Sequence, residues 1–175
     1  MKKMLFAAAL TVLMMALATS AMAATGLGSV TSVSVTPAEG DKTGSASVNT
    51  TLCAVTLDEA GKIAGIKFDV VQSKGAFDAA GAAADFAAEP QSKKELGESY
   101  GMVKASSIGK EWFEQAEALE AWCIGKTVEE VLGMNTFDRG DGHHTMVPDE
   151  PDLKTGCTVT VGDYLKALEK AAAAC

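Results

Sequence analysis

The chain is short of positive charge. Its 15 lysines and arginines stand against 23 aspartates and glutamates, a formal charge of −8 over 175 residues. A surface of that sign repels nucleic-acid phosphates and anionic membranes, which argues against both as partners. No P-loop, nucleophile elbow or dinucleotide-binding glycine pattern occurs, so the chemistries those loops serve lack their residues. Gly26-Leu27-Gly28 has none of the flanking sequence that a nucleotide-binding turn needs. Neither H-E-x-x-H nor C-x-x-C is present, which removes the usual zinc and dithiol sites. No apolar run reaches the roughly 20 residues needed to span a bilayer.

The longest apolar run is Met4 to Ala18, interrupted only by Thr11. Lys2 and Lys3 precede it, and Ala21-Met22-Ala23 follows as a small-x-small cleavage pattern. Residues 1–23 therefore read as a secretory signal peptide. With no cysteine after the cleavage point, a lipid anchor is not expected. The expectation is a soluble periplasmic or secreted protein, 24–175, with no permanent membrane anchor and the length of one domain. Losing both signal lysines takes its formal charge to −10.

All four cysteines, Cys53, Cys123, Cys157 and Cys175, fall in that mature part. In an oxidising compartment an even count permits two disulfides. If Val161 to Ala174 is helical, Cys157 and Cys175 stand at opposite ends of a rod about 20 Å long, too far apart to bridge. Cys53–Cys157 with Cys123–Cys175 is among the pairings left open.

Hydrophobic periodicity divides the chain. Val30, Val33 and Val35 predict an opening strand that stops at Pro37, with a turn over Glu39 to Ser45. Ala46 to Leu57 and Ile63 to Val71 alternate as two further strands, and the short loop Asp58 to Lys62 makes them an antiparallel hairpin. Phe77 to Phe86 reads as a weaker hairpin, with a helix left open by its alanines. Lys110 to Ile124 then places Trp112, Ala116, Leu119 and Cys123 at helical spacing. Thr127-x-x-Glu130 is a capping box for a short helix through Leu132. Asn135 to Asp152 is a polar loop, and Val161 to Ala174 a last helix burying Tyr164, Leu165 and Leu168. The fold class is α+β, a small antiparallel sheet in the first half packed by two or three helices from the second.

Chemistry is most concentrated just before that last helix, in Asp152-Leu153-Lys154-Thr155-Gly156-Cys157-Thr158-Val159-Thr160. A hydroxyl-rich loop at a helix N-terminus faces backbone N–H groups without intrahelical partners, and the helix dipole there favours anions. Trp112, Trp122, Tyr100 and Tyr164 are the candidates for an aromatic wall beside it. The plain alternative makes Thr160 and Asp163 a helix cap and the aromatics core. Asp138, Asp141, His143, His144, Asp149, Glu150 and Asp152 could gather on a divalent metal. Adjacent histidines on a loop point apart, however, and a solvated acidic loop is the better account.

The string Asp152-x-x-Thr155-Gly156-Cys157-Thr158 resembles the D-x-x-[ST]-G-A-T motif of the FMN-binding domain family, with Cys157 at the alanine position. Leu57-Asp58-Glu59-Ala60-Gly61-Lys62-Ile63 is similar to that family's D-G-K-I hairpin, and Gln72-Ser73-Lys74-Gly75 stands where the family has glutamate-threonine-proline-glycine. The resemblance implies FMN carried as a phosphoester on Thr158, with Asp152, Thr155, Gly156 and Thr160 around it and Trp112 and Tyr164 against the ring. It also implies a flavin transferase for maturation and a membrane or soluble redox partner. Lys94 to Met102, with Lys110 to Gln115, looks instead like uncharacterised exported proteins of anaerobic bacteria. Three expectations follow: an exported FMN electron carrier, a cofactor-free binding module, and a metal binder using His143 and His144.

Overall fold

A computed structural model describes residues 23–84 and 89–175. Residues 1–22 of the expected signal peptide and residues 85–88 of the weak hairpin lie outside the described residues.

Three long strands build the first half: β1 (Ala24–Thr36), β2 (Gly44–Leu57) and β3 (Ile63–Phe77). They pair antiparallel in the order β1-β2-β3, with the two-residue β4 (Ala83–Ala84) beyond β3. The hairpin between β2 and β3 forms as its spacing predicts. Asp58 Oδ1 accepts from the N–H groups of Ala60 and Lys62 and closes the turn. β1 opens at Ala24 rather than near Val30, and β3 runs on to Phe77 rather than ending at Val71. The β1 extension, Ala24 to Ser29, is rich in Gly, Ser and Thr, and the β3 extension is Gln72-Ser73-Lys74-Gly75-Ala76-Phe77, so ladder pairing, not apolar alternation, defines them.

The second half supplies α1 (Lys93–Leu96), a 3₁₀ turn (Gly97–Tyr100), α2 (Trp112–Cys123), α3 (Val128–Leu132) and α4 (Gly162–Ala172). The Thr127 hydroxyl accepts from the Glu130 N–H, and the Glu130 carboxylate accepts in return from the Thr127 N–H, the predicted capping box. Within the expected polar loop, β5 (Thr136–Phe137) pairs with β6 (Val147–Pro148). Sheet and helices share one core. Val55, Ile66, Phe68 and Val70 face inward against Trp112, Leu119, Val161, Leu165 and Leu168. Among the described residues no helix is long and apolar enough to cross a membrane.

α4 lies directly on β1. A Cβ on Gly26 would stand 1.8 Å from the Ala171 carbonyl oxygen, and one on Gly28 2.1 Å from that of Ala167. The Gly-x-Gly pair thus lets a helix backbone rest on a strand backbone. Farther along the sheet the polarity inverts. Ser32, Asn49 and Gln72, paired in one row, share the helix-facing side, while Val33, Val35 and Val48 point outward and are exposed.

The two disulfides that the even cysteine count permits are not formed, and all four cysteines are free. Cys53, Cys123 and Cys157 are fully buried members of the apolar core, where they serve as small apolar fillers. Burial pushes the Cys53 and Cys123 thiols up to about 12 and that of Cys157 up to about 11. Cys175 stands at the exposed end, its thiol donating to the Ala171 carbonyl at 3.5 Å.

Candidate functional site

The segment ahead of α4 is held from both sides. Leu153 is buried, and its carbonyl accepts from the N–H groups of Gly156 and Cys157, each at 2.8 Å. Gly156 rests on α2, where a Cβ would come 3.0 Å from that of Ala118. Cys157 anchors the chain in the core. Thr158, Val159 and Thr160 then run along the rim of a cleft of about 260 Å³.

Thr158 is positioned by Gln115, which is fully buried. The Gln115 side-chain oxygen accepts from the Thr158 N–H at 2.8 Å and from the Thr158 hydroxyl at 3.2 Å. The other end of the carboxamide donates to Ser106 Oγ at 3.0 Å and to the Lys110 carbonyl at 3.2 Å. Across the cleft, Arg139 Nη2 donates to the Thr158 carbonyl at 3.0 Å. The cleft's side loop is organised by Glu111, whose buried carboxylate accepts from the N–H groups of Met102 and Val103.

Trp112 and Tyr164 line the same cleft. Trp112 Nε1–H donates to the Tyr164 hydroxyl at 3.0 Å, and Tyr164 meets Phe68 edge-on with ring centroids 5.4 Å apart. Burial pushes the Tyr164 hydroxyl well above the usual tyrosine range. Both rings are thus mainly core and offer the cleft only their margins. Lys93 Nζ lies 4.7 Å from the Tyr100 ring centroid and 5.3 Å from that of Trp112, so Tyr100 borders the cleft through Lys93. Trp122 does not line this cleft; Lys126 Nζ sits over its ring at 4.2 Å.

The charge pattern is one-sided. Arg139 is the chain's single arginine and His143 and His144 are its two histidines; all three line this cleft, together with Lys93. Asp141 orients the histidine pair. Its Oδ1 accepts from both histidine N–H groups, and His144 Nδ1 lies 2.7 Å from its Oδ2. The two backbone N–H donors hold the Asp141 carboxyl well below the usual carboxylate range. Among the described residues no group of three or more His, Cys, Asp and Glu is placed to hold a metal.

The Thr160–Asp163 cap of the plain alternative does not form. Val161 occupies the N-cap of α4 without a side-chain bond, and its N–H donates to the Met146 carbonyl at 3.0 Å. Asp163 pairs with Lys166 instead, and the buried Thr160 hydroxyl oxygen has no hydrogen-bond partner. Buried hydroxyls without partners are uncommon, and this one adjoins a helix end whose first N–H groups are uncapped. A second polar cleft of about 400 Å³ continues on the far side, sharing Lys93, Thr160 and Tyr164 with the first.

Of the seven residues singled out from the sequence, the cleft gathers Thr158, Thr160, Trp112 and Tyr164. Gly156 supports it from behind. Asp152 and Thr155 are exposed on the preceding turn and do not border it. Gln115, Arg139 and Lys93 were not anticipated. Gln115 did carry a signal, being a polar residue three positions after Trp112 on the predicted buried face. A larger cleft of about 470 Å³ between β2, β3 and α2 contains none of the predicted residues. Its Lys67 and Glu120 are paired with each other, and Glu117 also lines this mostly apolar hollow.

No family model matches the chain, and no solved structure matches it. Over 96 residues it is 38% identical to a protein named chlorophenol reductase from Desulfitobacterium hafniense; the match covers 48% of this chain and 29% of that relative. The chain thus spans less than a third of the relative's length.

Proposed function

We propose that the protein is an extracytoplasmic electron carrier that holds FMN through a phosphoester to Thr158. One observation carries the reading. In an acidic chain, the single arginine, both histidines and Lys93 converge on the threonine that the loop motif marks. The free Thr160 hydroxyl and the uncapped start of α4 add donors suited to phosphate oxygens. Gln115 would hold the Thr158 backbone in place by its N–H whether or not the hydroxyl is esterified. Arg139, Lys93 and Thr160 would hold the phosphate, with the margins of Trp112 and Tyr164 against the ring. FMN held there would supply electron transfer in one- or two-electron steps. The likeness to a protein named as a reductase supports a redox setting, with a membrane or soluble partner and a flavin transferase for maturation.

The test is the intact mass and visible spectrum of protein purified from its own host. A mass raised by one esterified FMN and a yellow colour are expected, and both should vanish in Thr158→Ala. A second reading draws on the Thr158 hydroxyl, which is already satisfied by Gln115 in the unmodified chain. Colourless protein at the mass of its amino acids would favour a cofactor-free module that binds an anionic small molecule in the same cleft.

A further inference from the structure

The side of an antiparallel sheet that faces its helices is ordinarily apolar, and Val55, Ile66, Phe68 and Val70 meet that rule. Farther along, the same side turns polar. Ser32, Asn49 and Gln72 form one row across three strands, and Thr51, two residues from Asn49, lies on the same side. All four line the second cleft of about 400 Å³, together with Gly162, Asp163 and Tyr164 of α4. Their hydrogen-bonding capacity is only partly used. Gln72 Nε2 donates to Asn49 Oδ1 at 2.7 Å, which leaves Gln72 Oε1 without a partner among the described residues. The Ser32 hydroxyl and the Thr51 hydroxyl, the latter on a residue only 5% exposed, likewise have none there. Thr160, where the two clefts meet, adds a buried hydroxyl oxygen with no partner.

Size ties the two clefts together. Pockets that bury a drug-sized ligand measure roughly 300–1,000 Å³. The cleft beside Thr158, at about 260 Å³, falls below that range, and FMN is a ligand of at least that size. The second cleft joins the first at Lys93, Thr160 and Tyr164, and the two together lie inside the range. On the flavin reading proposed above, we infer that the cofactor spans both clefts, its ribityl hydroxyls and the carbonyl and N–H edge of its ring lying on the floor of Ser32, Asn49, Thr51 and Gln72. The chemistry agrees part by part. That ring edge offers carbonyl acceptors and an N–H donor, and the floor answers with amide N–H donors beside the free Gln72 oxygen. Ribityl hydroxyls both donate and accept, as do Ser32, Thr51 and Thr160. Charge divides the cofactor the same way. Lys166 and Asp163, on the rim of the second cleft, offset each other at 3.3 Å, so its floor suits the uncharged parts. The phosphate stays with Arg139 and Lys93 in the first.

Protein carrying esterified FMN, purified from its own host, is compared with Gln72→Met and with the double variant Ser32→Ala/Thr51→Val, with far-UV circular dichroism as the check on folding. Both variants keep Thr158, so the added mass is expected to persist. The fraction of flavin fluorescence open to iodide is expected to rise about fivefold, the change one lost hydrogen bond makes in a docking equilibrium, and the flavin's anisotropy to fall. Thr31→Val removes a hydroxyl from the opposite face of β1 and is expected to change neither. Unchanged iodide access in both variants, or an equal rise in Thr31→Val, overturns this placement while the ester mass upholds the carrier. A wild type without that mass overturns the carrier reading itself, and the placement with it.

Discussion

Gln115 connects α2 to the segment that carries Thr158, 43 residues later in the chain, and every polar atom of its side chain is used. Replacing it with leucine leaves the half-buried Thr158 N–H and hydroxyl without their acceptor, while Ser106 Oγ keeps the Lys110 N–H. A loss of about 1–3 kcal/mol is expected for such unsatisfied groups, read from urea denaturation of Gln115→Leu. On the proposed flavin reading, flavin content per chain falls in the same variant, whereas Gln115→Glu, which keeps an acceptor facing the Thr158 N–H, retains more of it. Part of this site was legible beforehand. Thr158, Thr160, Trp112 and Tyr164 were found because hydroxyls before a helix and aromatics at helical spacing are local patterns. Arg139 and Lys93 were not, because nothing local marks a cation that reaches the cleft only through the fold.

The contact of α4 with β1 depends on two missing side chains. Gly28→Ala puts a Cβ where the Ala167 carbonyl oxygen stands 2.1 Å away, so helix and strand must separate. Overpacking of this kind costs about 1–3 kcal/mol or more, and thermal or urea unfolding should show it. The same substitution at the exposed Gly40, with open space around it, gives a control for backbone effects at a left-handed residue. The elements that sequence located well are those with clear periodicity, β2, the first part of β3, α2 and α4. The first residues of β1, with Thr25, Gly26, Gly28 and Ser29, and the polar end of β3, Gln72 to Gly75, were invisible because neither alternates in hydrophobicity. The alternative reading, a Thr160 cap, is absent for a tertiary reason. The Val161 N–H is tied to the Met146 carbonyl, and this draws the chain away from the geometry a capping hydroxyl requires.

At the level of the whole molecule, three buried thiols set an alkaline limit. Their ordinary value is 9.0, and burial raises them to about 12, about 12 and about 11. Above pH 9 the unfolded chain releases these protons while the folded chain keeps them, so unfolding gains free energy as pH rises. Stability should therefore be flat with respect to these groups below pH 9 and fall between pH 9 and about 11, as denaturant midpoints measured across that range would show. A thiol reagent at neutral pH should label Cys175 rapidly and the other three only on unfolding.

The seating of α4 against β1 also orders events in time. The opening strand presents its inner backbone to a partner that begins only at Gly162, and Ala171 is among the atoms that seal it. Until the ribosome has delivered that stretch, the nascent polypeptide has nothing to lay over Gly26 and Gly28, and its core stays open. A chain so arranged cannot seal this face before Ala171 has been made.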